Sequence, residues 1–193
     1  MLLRTWLSED LSTTEESALR LDGETFRVAN TVCHVDQALT RESKLYSLVF
    51  RDPTRYTACG LSALWVMGLA PEPRRHSLAL LSRKRADHFH LDHFVIRDLR
   101  LTSRDYVACG MAHLVTMQRL VREIASDSSL SDHIAASALA ICFTQEDSLK
   151  NILAANIDPE LPNSKRMVRR LALADAIYVV DGFNTSHRVE NSF

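Results

Sequence analysis

Three histidines and an aspartate fall within the seven residues HFHLDHF at 88–94. Side chains alternate along an extended strand, so His88, His90 and Asp92 would share one face, with His93 reachable by a kink. Two imidazoles two positions apart plus a carboxylate can hold zinc. No cysteine and no second H-x-H lies nearby in sequence to close such a site. The run also follows a charged turn, SRKRAD (82–87), where the exposed start of a strand collects polar residues. The expectation is no metal and no cofactor.

Nucleophilic chemistry has less to work with. The chain contains no G-x-S-x-G, no glycine-rich phosphate loop and no H-E-x-x-H. Ser62 and Cys59 fall on a helix whose apolar face is explained by core packing. The four cysteines, Cys33, Cys59, Cys109 and Cys142, are scattered singly and read as small apolar residues of a reducing compartment. A third group stands in GMAHLVTMQRLVREIA (110–125). There Thr116 can cap a helix, and Arg119 and Glu123, four apart, come within ion-pair reach on one helical face. By themselves these three describe an amphipathic helix with a polar stripe.

The elements that must position these groups follow from periodicity. Thr25–Val28 and Thr31–Val35 are β-prone runs with a turn at Ala29–Asn30, a small hairpin. TRESKLYSLVF (40–50) is helical, and in TACGLSALWVMGLAPEP the residues Ala58, Leu61, Leu64, Trp65 and Leu69 form a wide apolar face stopped by Gly68 and Pro71. SLALL (77–81), HFVIRDL (93–99) and RDYVACG (104–110) read as three strands. After Gly110 the period changes, with Leu114, Met117, Leu120, Val121 and Ile124 recurring at three and four. Three more helices are expected at 131–143, 145–156 and 164–176, with Ser131 and Thr144 as N-cap residues. IYVVDGFNTSHRVENSF then starts like a strand and frays. The fold class is α/β (α+β): a hairpin, a small three-stranded sheet with packed helices, and a C-terminal helical cap.

Composition sets the frame. With 193 residues, 46% hydrophobic and 24% charged, the chain is an ordinary globular one with a sizeable core. The first residues carry Arg4, Glu9 and Asp10 where a signal peptide needs an apolar run, and no stretch nears the roughly 20 apolar residues of a membrane span. A cytoplasmic protein with no membrane partner is expected. Net charge is −1, unevenly spread. Residues 1–50 carry 5 Lys/Arg against 8 Asp/Glu, residues 51–125 carry 12 against 7, and residues 126–193 carry 6 against 9. The basic middle suits an acidic partner, nucleic acid, or simply water.

The spacing G-x-x-x-x-V-T-x-x-R-x-x-x-[DE]-x-A after a short strand resembles the AbiEi-type antitoxins. Gly110, Val115, Thr116, Arg119 and Ala125 match that motif, with Glu123 where aspartate is usual. SALWVMGL (62–69) is similar to the family's S-A-A-x-L-x-G-L helix through Ser62, Ala63, Leu64, Gly68 and Leu69. The likeness spans about residues 21–180. It implies a winged-helix DNA-binding head in front of a domain that neutralises a nucleotidyltransferase-type toxin. Here only about twenty residues precede the hairpin, fewer than a full helix-turn-helix takes, and the stretch is acidic. The chain ends at Phe193, where some relatives continue into a Vsr-like nuclease. On this reading residues 1–36 are a truncated winged-helix-like hairpin region, 37–126 an α/β core and 127–193 a helical C-terminal region with a frayed tail. The expected function is non-enzymatic contact with a cognate toxin through Thr116, Arg119 and Glu123, whose alternative role is helix capping and bracing. A second expectation is a transcriptional regulator binding DNA, weakly and salt-sensitively, through Arg83, Lys84, Arg85 and other basic residues of the middle. Oligomeric state is left open.

Overall fold

The computed structural model describes residues 5–7, 11–29, 31–49, 52–81, 94–160 and 162–190. Near the N-terminus, Ser12 and Glu15 close a capping box that starts α1 (Thr13–Leu21): the Glu15 N–H donates to Ser12 Oγ at 3.2 Å and the Ser12 N–H to Glu15 Oε2 at 2.8 Å. The expected hairpin follows as β2 (Thr25–Val28) and β3 (Thr31–His34), in antiparallel register from Thr25 opposite His34 to Val28 opposite Thr31. That register leaves two residues for the turn, and Ala29 accepts a φ of 47° to make it. The hairpin is part of a larger unit. β1 (Thr5–Leu7) pairs with the free edge of β3, giving a three-stranded antiparallel sheet in the order β1-β3-β2.

The second sheet has five strands, β4 (Tyr56–Ala58), β5 (His76–Leu80), β6 (Phe94–Arg97), β7 (Tyr106–Cys109) and β8 (Ala112–Val115), in the order β6-β5-β4-β8-β7. It is mixed: β4 runs parallel to β8 and β5 to β6, while the β4–β5 and β7–β8 pairs are antiparallel. Three of its strands match the expected ones. The additional pair comes from segments read as helix starts. Tyr56–Ala58 precedes the helix at its side, and Ala112–Val115 precedes the helix that carries Arg119. Leu114 therefore faces the core from a strand, not from a helical turn. Helices α2 (Arg41–Val49) and α3 (Gly60–Val66) cover this sheet, burying Leu45, Leu48, Leu64 and Trp65.

The rest of the described chain is helical: α4 (Met117–Ser126), α5 (Asp132–Gln145), α6 (Ser148–Ala155) and α7 (Ser164–Glu190). Ser131 caps α5 as expected, its Oγ accepting from the Ile134 N–H at 3.3 Å. Thr144 does not start a helix. It sits in the last turn of α5, its hydroxyl donating to the Ile141 carbonyl, and α6 begins after Asp147 without a side-chain cap. The segment from Ile177 onward is not a strand either, since α7 runs without a break from Ser164 to Glu190. Its β-branched residues continue a register set up by the preceding turns, and context overrides their strand preference.

Small residues on α5, among them Ala135, Ala136, Ala138 and Ala140, are buried and let α7 pack closely along it. One contiguous core joins the hairpin (Val28, Cys33), the five-stranded sheet (Leu78, Leu114, Val115) and the helices (Leu120, Ile124, Leu139, Phe143, Leu153). Each such large side chain, fully withdrawn from water, stabilises by about 1.5–3 kcal/mol. No helix among the described residues is long and apolar enough to cross a membrane.

Candidate functional site

The β7–β8 hairpin turns at Gly110, whose φ of 61° favours glycine, and β8 delivers the chain directly into α4. Thr116 stands at the junction in extended conformation (φ −68°, ψ 155°), and its Oγ1 accepts from the Arg119 N–H at 3.3 Å. The Thr116 N–H itself donates to the Asp105 carbonyl at 2.9 Å, tying the helix start to the loop before β7. Leu120, Val121, Ile124 and Ala125 anchor one face of α4 in the core. Arg119, Arg122, Glu123 and Ser126 remain for its flank.

Arg119 donates through Nε to Glu123 Oε1 at 3.0 Å, the ion pair the spacing predicts. Its surroundings are not those of an exposed helix stripe. Glu123 is only 9% exposed. The carboxylate reaches across to α3, where its Oε2 accepts the backbone N–H of Gly60 at 3.2 Å. Burial pushes the Glu123 carboxyl above its ordinary value, outweighing the opposite pull of Arg119 and the Gly60 N–H. The three expected residues are thus brought together, as a brace between the sheet, α3 and α4.

Two further residues complete the surroundings. Arg97, at the end of β6, pairs through Nη1 with Asp127 Oδ2 at 2.6 Å and donates to the hydroxyls of Ser77 and Ser129, both at 3.3 Å. Burial would raise Asp127, but hydrogen bonds from the Ser129 hydroxyl and N–H, together with the Arg97 charge, hold it below its ordinary value. Between these groups lies a cleft of about 330 Å³, walled by Arg97, Leu99, Arg119, Arg122, Glu123 and Asp127, with the exposed Ser128 at its rim. Arg122, in the same wall, has a buried Nε with no hydrogen-bond partner among the described residues.

Sequence spacing alone could have flagged Arg122, three residues after Arg119 on the same flank. Arg97, Gly60 and Asp127 carry no such signal, because they come from another strand and from two helix ends. Arg83, Lys84 and Arg85, like His88, His90, Asp92 and His93, lie outside the described residues. Among the described residues no group of three His, Cys, Asp or Glu side chains could hold a metal ion.

A second polar chain is built on α3 and β5. Ser62 Oγ lies 3.3 Å from His76 Nδ1, and His76 Nε2 lies 3.2 Å from Glu72 Oε1. The order is that of a serine–histidine–carboxylate relay, yet Ser62 is 1% exposed and its oxygen already accepts the Ser77 N–H at 2.8 Å. It fastens α3 to β5, in line with the packing role read from its apolar surroundings. Cys59, immediately before α3, is wholly buried and burial drives its thiol far above its ordinary value; Cys142 is pushed up to about 12 for the same reason. Neither is a thiolate at neutral pH.

No protein-family model matches this chain, and no curated protein does.

Proposed function

We propose that this chain is a non-enzymatic regulator of the AbiEi-type antitoxin kind, acting by contact with a protein partner, a nucleotidyltransferase-type toxin. The observation that carries the reading is the β7–β8 hairpin. β7 is an edge strand of the five-stranded sheet, and beside it Val107 and Met111 are 54% and 73% exposed. An open sheet edge bearing apolar side chains is a surface on which another chain can add a strand. Exposed Arg100 and Arg104 in the preceding loop supply positive charge next to it, suited to an acidic partner surface. Thr116, Arg119 and Glu123 serve this surface chiefly from behind, by fixing α4 against the hairpin. Of the three, Arg119, with its side chain 21% exposed, is the one a partner reaches.

The test is a co-expression rescue with the toxin, comparing the unaltered chain and Val107→Glu/Met111→Glu. Both positions are exposed, so the thermal melt should stay put while rescue is lost. Full rescue by the double variant would remove the hairpin as the contact surface.

The alternative, DNA binding through the basic middle, rests on Arg83, Lys84 and Arg85 with Arg100 and Arg104 near them in sequence. It requires a promoter affinity that falls steeply as salt rises, whereas toxin contact through an apolar edge does not.

A further inference from the structure

The cleft on the flank of α4 holds cationic donors that the fold itself does not use. Arg97 is fully engaged by Asp127, Ser77 and Ser129. Arg119 commits its Nε to Glu123, and its two terminal nitrogens make no hydrogen bond among the described residues. Arg122 has neither an ion pair nor a hydrogen bond for its guanidinium there, although its Nε is cut off from water. A buried donor without an acceptor is costly, and folded proteins rarely leave one. Outside the cleft wall, the Asp105 carboxylate feels the charge of both arginines. Its Oδ2 is already committed to the N–H and the hydroxyl of Thr102, each at 2.7 Å. The wall itself sets three guanidinium groups against two carboxylates, Glu123 and Asp127, a surplus of one positive charge.

We propose that this cleft binds the phosphate group of a small phosphorylated ligand, held between Arg119 and Arg122. The two side chains stand three residues apart on one helical flank and both line the cleft, so an anion in it is within reach of two guanidinium groups. A carboxylate, with two oxygens, is satisfied by a single fork. A phosphate monoester, with three terminal oxygens and nearly two negative charges, can accept from both at once. The volume of about 330 Å³ is near the lower bound of small-molecule sites and accommodates the phosphate with a short stem lying against Leu99. The inference stands apart from the toxin-contact reading, since ligand binding is measured on the chain alone.

The experiment is a calorimetric titration of the full chain with inorganic phosphate, with ribose 5-phosphate and with ribose. Ribose 5-phosphate is expected to bind saturably with a Kd of about 1 mM or tighter, inorganic phosphate more weakly, and ribose not at all. Arg122→Ala should weaken ribose 5-phosphate at least about tenfold with an unchanged melt. Ser128→Asp, which adds a carboxylate at the exposed rim, should weaken it as well, and keeps the proposal testable if Arg122→Ala fails to fold. Absence of saturable binding up to about 10 mM, equal binding of ribose, or affinity untouched by both variants would overturn the site.

Discussion

Arg170, packed against the end of α4, and Arg122, carried by α4 itself, meet opposite surroundings. Arg170, from α7, is 1% exposed and wholly enclosed by acceptors. Its Nε donates to Asp132 at 2.8 Å, its Nη1 to the carbonyls of Ile124, Ala125 and Asp127, and its Nη2 to that of Leu130. Two of those carbonyls belong to the last turn of α4, whose oxygens have no partner within the helix. A guanidinium at that end also sits at the negative pole of the helix dipole. Arg122, on the open flank, finds no acceptor for its Nε among the described residues. The difference separates two uses of one residue type. Where acceptors surround the cation, the charge is structural and closed to other partners. Where cations outnumber acceptors, the site is incomplete until an anion arrives.

The largest effect that would sharpen this contrast is at Arg170. Arg170→Ala should cost about 3–5 kcal/mol in urea unfolding, because it strands four carbonyls together and leaves Asp132 with Arg169 as its remaining arginine partner. Arg170→Lys should recover only part of that loss, since one ammonium cannot serve carbonyls arrayed around a planar fork. A loss under about 1 kcal/mol for Arg170→Ala would show that water replaces the guanidinium and that the closed site is not closed. Arg119 comes next. Read from sequence alone, the Arg119–Glu123 pair is an exposed helix pair worth about 0.3–0.5 kcal/mol. The Glu123 side chain is 8% exposed, so Arg119→Ala leaves a buried carboxylate with one supporting hydrogen bond, and about 1–3 kcal/mol is expected. A melt as shallow as the exposed value would return the pair to the solvated stripe.

What could be read in advance tracks sequence distance. Thr116, Arg119 and Glu123 span eight residues, and the cap and ion pair they form are dictated by helical spacing alone. Glu123's second partner, Gly60, is 63 positions away, and no periodicity announces it. The hairpin turn at Ala29 was legible because two β-prone runs flank a two-residue gap. β8 was not, because four residues give too few alternations to contradict Leu114 and Met117, which fit a helical period equally well. At the C-terminal end the opposite error arises. Ile177, Val179 and Val180 are strand formers by composition, but α7 has already made several turns before reaching them, and elongating a helix is cheaper than nucleating a strand. The α/β class survived these errors because it rests on the long helices and on strands whose burial is pronounced.

The smallest effect is one of pH, and it tests the two sides of the cleft against each other. Asp127 is held below its ordinary value, so its contribution to stability is present above the usual carboxylate range and is lost as pH falls through its lowered value. Glu123 is pushed above its ordinary value by burial, so its contribution is complete below the usual glutamate pKa and is lost as pH rises through the raised one. Glutamine mimics the protonated acid and still accepts the Gly60 N–H. Glu123→Gln should therefore cost most at acidic pH, with the penalty shrinking as pH rises from about 4 to about 7. Asp127→Asn should behave in reverse and at lower pH, its penalty growing as pH rises from about 2 to about 4, where the unaltered chain gains its charged Asp127–Arg97 pair, and staying level above that. Unfolding free energies of both variants and the unaltered chain, measured from about pH 2 to about pH 7, give the two slopes directly. If Glu123→Gln shows the same slope as Asp127→Asn, then Arg119, and not burial, governs Glu123. The carboxylate would then be fully charged at neutral pH, the positive surplus of the cleft would be at its minimum, and the open flank of α4 would differ from the Arg170 end only in degree.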